Sequence, residues 1–254
     1  MTTLVIGATG ATGRHLVTQL LNRGERLKII VRSPEALPRA ITTHPNVEMI
    51  QANVLDLSDA EMAQIAKGCA AVASCLGHNM TFQGMFGHPR RLVTQATSRF
   101  CDAIKANAPE TPVKFVLMNT TGNRNRDLNE PISLAHKTVV NLLRWLLPPH
   151  VDNEQAADYL RITIGQNDPH IQWSAVRPDG LTDDTEVTAY DTHVSPTRCA
   201  IFNAGHTSRI NVAHFMAGLI TDDKTWHAWR GKMPVIYNAN TQIEVGKTPI
   251  SAAP

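Results

Sequence analysis

Residues 4–17, with the sequence LVIGATGATGRHLV, constrain the fold of this chain more than any other segment. A short apolar run ends in Gly7, Gly10 and Gly13, and a helical pattern follows at once. We expect a strand, a tight turn and a helix N-terminus. Glycines at this spacing allow a sharp turn, close approach to a pyrophosphate and close packing of the helix on the sheet. The free N–H groups of the helix end favour a bound phosphate.

Strand and helix patterns alternate along the next part of the chain. We predict strands over Thr3–Ile6, Leu27–Val31, Val47–Gln51, Ala70–Cys75, Val113–Met118 and Ile171–Val176. Helices are predicted near residues 12–23, 58–68, 90–106, 132–147 and 154–165, the second opened by a capping-box pattern at residues 58–61. The alternation predicts an α/β fold with a doubly wound, mostly parallel sheet covered on both faces.

The pattern of predicted secondary structure changes after Pro178. Strand-like pieces at 186–190, 207–210 and 234–237 surround one helical pattern at 212–221, and residues 245–254 have the composition of a loose tail. At 254 residues and 43% hydrophobic content, the chain fits one domain over 1–254. We expect residues 179–244, approximately, to form a small C-terminal lobe.

Composition and charge argue against several function classes. The net charge of +2 is scattered, which gives no electrostatic case for a nucleic-acid partner. The four cysteines show no C-x-x-C pair, and no cluster has the spacing of a metal site. The first strand begins almost at Met1, and no apolar run reaches the ~18–20 residues of a membrane span. We therefore expect a cytoplasmic protein without a metal or a membrane partner; its oligomeric state stays open.

The end of the second predicted strand indicates which dinucleotide the turn holds. NAD-selective turns usually carry an acid there, which accepts a hydrogen bond from the ribose 2′-OH. This chain has Arg32 and Ser33 instead, with no acid between Arg26 and Pro34. An arginine can pair with a 2′-phosphate, which a carboxylate would repel. We predict NADP(H) as the cofactor, with Arg32 and Ser33 at the 2′-phosphate.

Three motifs carry a resemblance to a known family. They are the Gly-x-x-Gly-x-x-Gly turn, the stretch WSAVRPDGL at 173–181 and the stretch TSRINVA at 207–213. Over residues 3–220 the chain resembles the atypical branch of the short-chain dehydrogenase/reductase superfamily, which includes NmrA-like regulators and flavin/biliverdin reductase-like enzymes. The resemblance implies a Rossmann-type fold in which the C-terminal lobe contributes to substrate binding.

The same resemblance assigns cofactor contacts to the ends of several strands. Asn53 and Val54 take the position that flanks adenine, and Cys75-Leu76-Gly77 the turn beside the pyrophosphate and ribose. Pro178 takes the position against the nicotinamide. The full set of predicted cofactor-binding residues is Gly7, Thr9, Gly10, Ala11, Thr12, Gly13, Arg32, Ser33, Asn53, Val54, Cys75, Leu76, Gly77, Asn119, Thr120, Lys137 and Pro178.

The family's catalytic Tyr-x-x-x-Lys is missing. Four residues after Tyr159, Tyr190 and Tyr237 stand threonine, valine and threonine. The matching position reads SLAHK at 133–137, which puts Ser133 in the tyrosine slot and Lys137 in the lysine slot. We predict that Lys137 holds the nicotinamide ribose and that Thr120 holds this ribose or a polar group of the substrate. A serine hydroxyl is too weak an acid to replace tyrosine, so Ser133 is predicted to orient a substrate or water.

Loss of the tyrosine changes the expected chemistry. A plain ketone needs a proton donor at its oxygen, whereas a flavin or quinone spreads the incoming charge over a conjugated system. We therefore predict hydride transfer from NADP(H) to a small, flat, conjugated acceptor, with residues 78–88 as a flexible apolar lid. The main alternative is a non-catalytic NADP(H)-binding regulator or redox sensor of the NmrA-like type. A third hypothesis is an epimerase or dehydratase of nucleotide sugars, which the missing tyrosine disfavours.

Overall fold

The computed structural model describes residues 1–78, 87, 89–128, 130, 139 and 147–239. Its strands are β1 (Thr2–Ile6), β2 (Arg26–Val31), β3 (Val47–Gln51), β4 (Ala71–Ser74), β5 (Val113–Met118), β6 (Ile171–Pro178), β7 (Gly180–Thr182), β8 (Tyr190–His193), β9 (His206–Ser208) and β10 (Val235–Asn238). Its helices are α1 (Ala11–Asn22), α2 (Arg39–Thr42), α3 (Asp59–Ala66), α4 (Leu92–Ala106), α5 (Pro148–Asp158), α6 (Arg209–Thr221) and α7 (Asp223–Trp229). A π-helix over Tyr159–Ile164 continues α5.

The strands of the described part form a doubly wound sheet. Their order is β3-β2-β1-β4-β5-β6-β10-β8, and every pair is parallel except β10 with β8. The chain builds outward from β1 in one direction, returns, and then builds from β4 in the other. Such a reversal leaves a crevice at the carboxyl ends of the two central strands, where open α/β sheets bind ligands. The predicted Rossmann-type α/β fold is confirmed.

Each face of the sheet carries its own apolar layer. In β1, Leu4 packs in the layer formed with α3, α4 and α5, whereas Val5 packs in the layer formed with α1 and α6. Neighbouring residues of a strand point to opposite faces, so a strand covered on both sides is apolar at every position. This explains why the central strands read as continuous apolar runs.

A buried ion pair joins β6 to the chain that follows β5. Arg177 is fully buried, and its two terminal nitrogens lie 2.7 Å and 3.0 Å from the carboxylate oxygens of Glu130. Its Nε donates to the carbonyl of Met233, and the carbonyls of Asn123 and Val194 accept its remaining donors. A buried charge is tolerated when every donor is paired in this way. The pair therefore fixes the loop after β5 against the C-terminal part of the sheet.

Residues 179–239, the described part of the predicted lobe, join the main sheet through two strands. The strands β10 and β8 extend the large sheet, and α6 packs on α1, while β7 and β9 pair separately in a parallel two-stranded sheet. The role of this segment as a lobe for substrate stays a prediction. In the described part of the chain, none of the helices has the length and apolar character that crossing a bilayer requires.

Some element boundaries differ from those predicted. The strand expected at 186–190 begins only at Tyr190, because the Thr188 N–H donates to the Asn211 side chain (2.9 Å). Helix α7 was not predicted; the Asp222 side chain starts it by accepting from two backbone N–H groups. The predicted tail at 245–254 and, apart from residues 139 and 147, the predicted helix at 132–147 lie outside the described residues.

Candidate functional site

A cavity of about 460 Å³ opens at the carboxyl ends of β1, β2, β3 and β4. It lies at the point where the strand order reverses. The sequence predicted contributions from four separate segments, and the structure brings them together in this cavity. The predicted residues that line it are Gly7, Thr9, Gly10, Ala11, Thr12, Arg32, Asn53, Val54, Cys75, Leu76 and Gly77.

The glycine turn is built so tightly that side chains are excluded at two positions. Gly7 has a φ of 78°, and a Cβ there would lie 2.6 Å from the carbonyl carbon of Cys75. A Cβ on Gly13 would lie 2.1 Å from the carbonyl oxygen of Gly7. Gly13 therefore packs against the turn itself, which is more specific than the helix–sheet contact that the spacing predicted.

The N-terminus of α1 opens into this cavity without a side-chain cap. Gly10 is the N-cap residue, and neither a side-chain hydrogen bond nor an acidic residue occupies the first turn. The first N–H groups of a helix have no partner within the helix. The α1 end therefore offers both hydrogen-bond donors and a positive dipole end to an anion.

Arg32 lines the cavity on the β2 side. It is exposed, and within the described ranges it forms no ion pair. Its guanidinium is therefore available to a ligand. Ser33 is also exposed but does not line the cavity, and it precedes the short helical turn at residues 34–36.

Asn119, Thr120 and Pro178 do not line the cavity that holds the glycine turn. The amide of Asn119 is used within its own surroundings: it donates to the carbonyl of Asn153 and accepts from Thr120 N and from Asn123 Nδ2. The Thr120 hydroxyl accepts from Gly122 N at 3.2 Å. Asn119 therefore shapes the turn after β5, and the cofactor contacts assigned to these three residues stay predictions.

Ser133 and Lys137, the predicted catalytic pair, lie outside the described residues. So does most of the predicted lid, from residue 79 to residue 86 and residue 88. Their assignments rest on the sequence alone.

Two polar residues of the cavity wall, His78 and Arg209, were not predicted as contacts, although His78 begins the predicted lid and Arg209 lies in the TSRINVA stretch. His78 Nε2 lies 2.7 Å from the carboxylate of Asp152, a fully buried side chain that also accepts from Val93 N and Thr94 N. Burial opposes ionisation of Asp152, but the hydrogen bonds from His78, Thr94 and Val93 outweigh it and hold the pKa of the carboxyl below its usual value. These residues are far apart in sequence, so no local pattern announces the contact.

The remaining unpredicted wall residues are mostly apolar and come from strand ends and from the chain before α4. They are Ile6, Ile30, Val31, Ala52, Pro89, Leu92, Met118 and Leu181. Burial raises the pKa of the Cys75 thiol to about 12, so this thiol stays protonated near neutral pH. In the described ranges, no group of three or more His, Cys, Asp or Glu side chains is placed to hold a metal ion.

The sequence matches one family model and a protein of Arabidopsis thaliana. A family model described as NAD(P)H-binding matches residues 7–223, which include the glycine turn and the cavity wall. The chain belongs to the NAD(P)H-binding family. It is also 28% identical over 180 residues to an uncharacterized chloroplastic protein of Arabidopsis thaliana, a match that covers 71% of this chain and 59% of that protein.

Solved structures with the same fold include two relevant neighbours. A short-chain dehydrogenase/reductase of Veillonella parvula in complex with NADP superposes with a TM-score of 0.66 and 16% identity, over 94% of this chain and 95% of that one. A candidate NADH-flavin reductase of Streptococcus pneumoniae gives a TM-score of 0.61 and 18% identity, over 94% and 99%. At these identities the likeness concerns the fold. The resemblance drawn from the sequence is confirmed at the level of family and fold.

Proposed function

We propose that this protein is an NADP(H)-dependent oxidoreductase that transfers hydride to a conjugated small molecule such as a flavin or quinone. The observation that carries the proposal is the cavity in which an uncapped α1 N-terminus and Arg32 face the same space. Membership of the NAD(P)H-binding family supports the dinucleotide class. The choice of NADP(H) and of the acceptor goes beyond that membership.

The described residues fit a dinucleotide. The cradle at Gly7 and Gly13 leaves no room for a side chain, and the N–H groups behind it suit a diphosphate. Arg32 suits a 2′-phosphate, since a guanidinium can bind two phosphate oxygens at once. Asn53 and Val54 follow β3 and line the same cavity, which supports the adenine contact assigned to them.

The chain's own part in the reaction is to bind, orient and exclude water. A nicotinamide supplies the hydride when it is bound, and the protein supplies position and electrostatics. Lys137 would hold the ribose, while Thr120 and Ser133 would orient the acceptor or a water molecule. The absence of Tyr-x-x-x-Lys from the sequence favours acceptors that need no strong proton donor at the reacting atom.

A second candidate function is a non-catalytic NADP(H)-binding regulator. The missing tyrosine favours it as well, and so does the turn after β5, where the Asn119 amide is already bonded within the protein. In that case binding would respond to the ratio of NADP⁺ to NADPH without turnover.

Following NADPH absorbance with a panel of flavins and quinones separates the two functions. Turnover with a member of the panel supports the reductase, and we expect Lys137→Ala to lower kcat sharply. Tight binding of NADP⁺ and NADPH without turnover of any acceptor overturns the reductase in favour of the regulator. We also propose a cytoplasmic location, which localisation of a tagged full-length protein would test; the Arabidopsis relative is chloroplastic.

A further inference from the structure

Arg209 reaches the dinucleotide cavity from the C-terminal segment. It is the first residue of α6, directly after β9, and lines the same cavity as Gly10 and Thr12. Its position is fixed by a buried framework: Ser208 caps α6 by accepting from Asn211 N, and the Asn211 amide bonds onward to Asn238. The arginine therefore projects from a rigid helix start.

The guanidinium of Arg209 is only weakly engaged within the protein. Nη1 lies 2.9 Å from Asp183, whose side chain is 77% exposed. An ion pair so open to water contributes little. A guanidinium carries five N–H donors, and no other polar contact of this one is present in the described ranges. A phosphate with two oxygens in reach can displace the single contact to Asp183.

Arg209 lines the same cavity as the N-terminus of α1, which contributes Gly10, Ala11 and Thr12 to the wall. Burial and then Arg14 lower the pKa of His15, Asp183 acts in the opposite sense, and Arg209 lowers it further, which agrees with this placement. Arg32 lines the cavity as well, but from the segment that follows β2.

We propose that Arg209 binds the diphosphate of the dinucleotide from the side of α6, opposite the N–H groups of α1. The proposal rests on the proposed function, because it names a further ligand of the same site. In this proposal the two arginines bind different phosphate groups. Arg32 binds the 2′-phosphate, and Arg209 binds the diphosphate that NADPH and NADH share. Because Arg209 lies on the segment that begins after β6, the bound diphosphate would join that segment to α1.

Two small probes separate the roles of the arginines. ADP carries a diphosphate without a 2′-phosphate, and adenosine 2′-monophosphate carries the 2′-phosphate without a diphosphate. We expect Arg209→Gln to reduce the affinity for ADP about tenfold and to leave the affinity for adenosine 2′-monophosphate unchanged, since only ADP carries the diphosphate that would lose a charged hydrogen-bond donor. Arg32→Gln should do the reverse. NADPH and NADH should weaken by the same factor in Arg209→Gln.

Isothermal titration of the full chain measures these affinities, with thermal unfolding as the check on folding. If Arg209→Gln folds poorly, Arg209→Lys and Asp183→Asn replace it: the lysine should weaken ADP less than glutamine would, and Asp183→Asn should bind ADP at least as tightly as the wild type. Unchanged ADP binding in the Arg209 variants overturns the proposal, as does a higher KM for the acceptor with unchanged Kd for NADPH. If the wild-type protein binds neither NADPH nor ADP, the proposed function itself fails.

Discussion

Helices α1 and α4 begin at the same edge of the sheet. The first N–H groups of α4 are capped by a side chain, whereas those of α1 are not. At the start of α4, Val93 N and Thr94 N donate to the buried carboxylate of Asp152 at 2.8 Å and 2.9 Å. At the start of α1, Gly10 offers no side-chain cap. Both ends border the same cavity, since Leu92 and Gly10 line it together.

This difference between the two helix N-termini indicates where an anion from outside the protein can bind. A helix N-terminus needs an acceptor, and in α4 the Asp152 carboxylate from α5 already provides it; the same carboxylate also pairs with His78. At α1 no side chain among the described residues caps the helix, and Arg32 and Arg209 add positive charge to the same wall. We therefore interpret α4 as part of the scaffold and α1 as the binding end.

Removing the internal cap should produce the largest effect on stability. Asp152→Ala leaves two backbone N–H groups and His78 without their carboxylate, and breaking a buried pair costs about 3–5 kcal/mol. Urea unfolding measures the loss. Asp59→Ala is the matched control, because Asp59 pairs with Arg99 but is 91% exposed. An equal loss of unfolding free energy in the two variants would contradict the larger contribution that we assign to the buried Asp152 carboxylate.

Filling the cradle behind the α1 end should nearly abolish dinucleotide binding. A Cβ at residue 13 would lie 2.1 Å from the carbonyl oxygen of Gly7, so Gly13→Ala must push the turn and helix apart. We expect Kd to rise on the order of 100-fold for NADPH and NADH alike, the equivalent of about 3 kcal/mol of overpacking. Gly218→Ala in α6, where the nearest atom is 3.9 Å away, is the control. Wild-type affinity in Gly13→Ala would contradict the cradle.

Reversing the charge at Arg32 should separate the two nicotinamide cofactors. A carboxylate at this position repels a 2′-phosphate and can accept from a ribose hydroxyl, so Arg32→Glu should weaken NADPH about tenfold or more and change NADH much less. Fluorescence titration of both cofactors gives the ratio. A parallel loss for both would remove Arg32 from the 2′-phosphate.

The smallest expected effect is the loss of the stability contributed by Asp152 when the pH is lowered. The hydrogen bonds to Asp152 lower its folded pKa, so its contribution is complete above the unfolded value of about 3.9 and is lost as pH falls through the folded pKa. The difference in unfolding free energy between the wild type and Asp152→Asn should therefore be smaller at about pH 3 than at about pH 5, because the Asp152 carboxylate of the unfolded chain is protonated in that interval. Urea titrations at several pH values measure it; a difference that widens in acid has the wrong sign.

The sequence predicted the part of the site that follows strands directly. Glycine spacing and apolar runs are local signals, so β3 and β5 have the predicted bounds, and the residues after β1 to β4 meet in the cavity. Contacts between distant segments leave no such signal. The pairing of His78 with Asp152 and the approach of Arg209 depend on how α5 and α6 pack against the sheet.

Some contacts arise because a side chain binds a backbone group from a distant segment. The Asn119 amide, predicted as a cofactor contact, donates to the carbonyl of Asn153 in α5 and accepts from Thr120 N and Asn123 Nδ2, and its role toward a cofactor stays a prediction. The Asn211 side chain accepts a hydrogen bond from Thr188 N, so β8 begins at Tyr190 and not at the predicted residue 186. Such contacts are settled by three-dimensional packing and cannot be predicted from residue type.

Titration of the wild-type full chain with NADPH and NADH under the same conditions tests the central claim most directly. If the uncapped α1 end and Arg32 form an NADP(H) site, both cofactors bind, and NADPH binds about tenfold more tightly or better, because only NADPH carries the 2′-phosphate. Absence of binding by either cofactor would contradict the site. Equal or tighter binding of NADH would contradict the role of Arg32 in it.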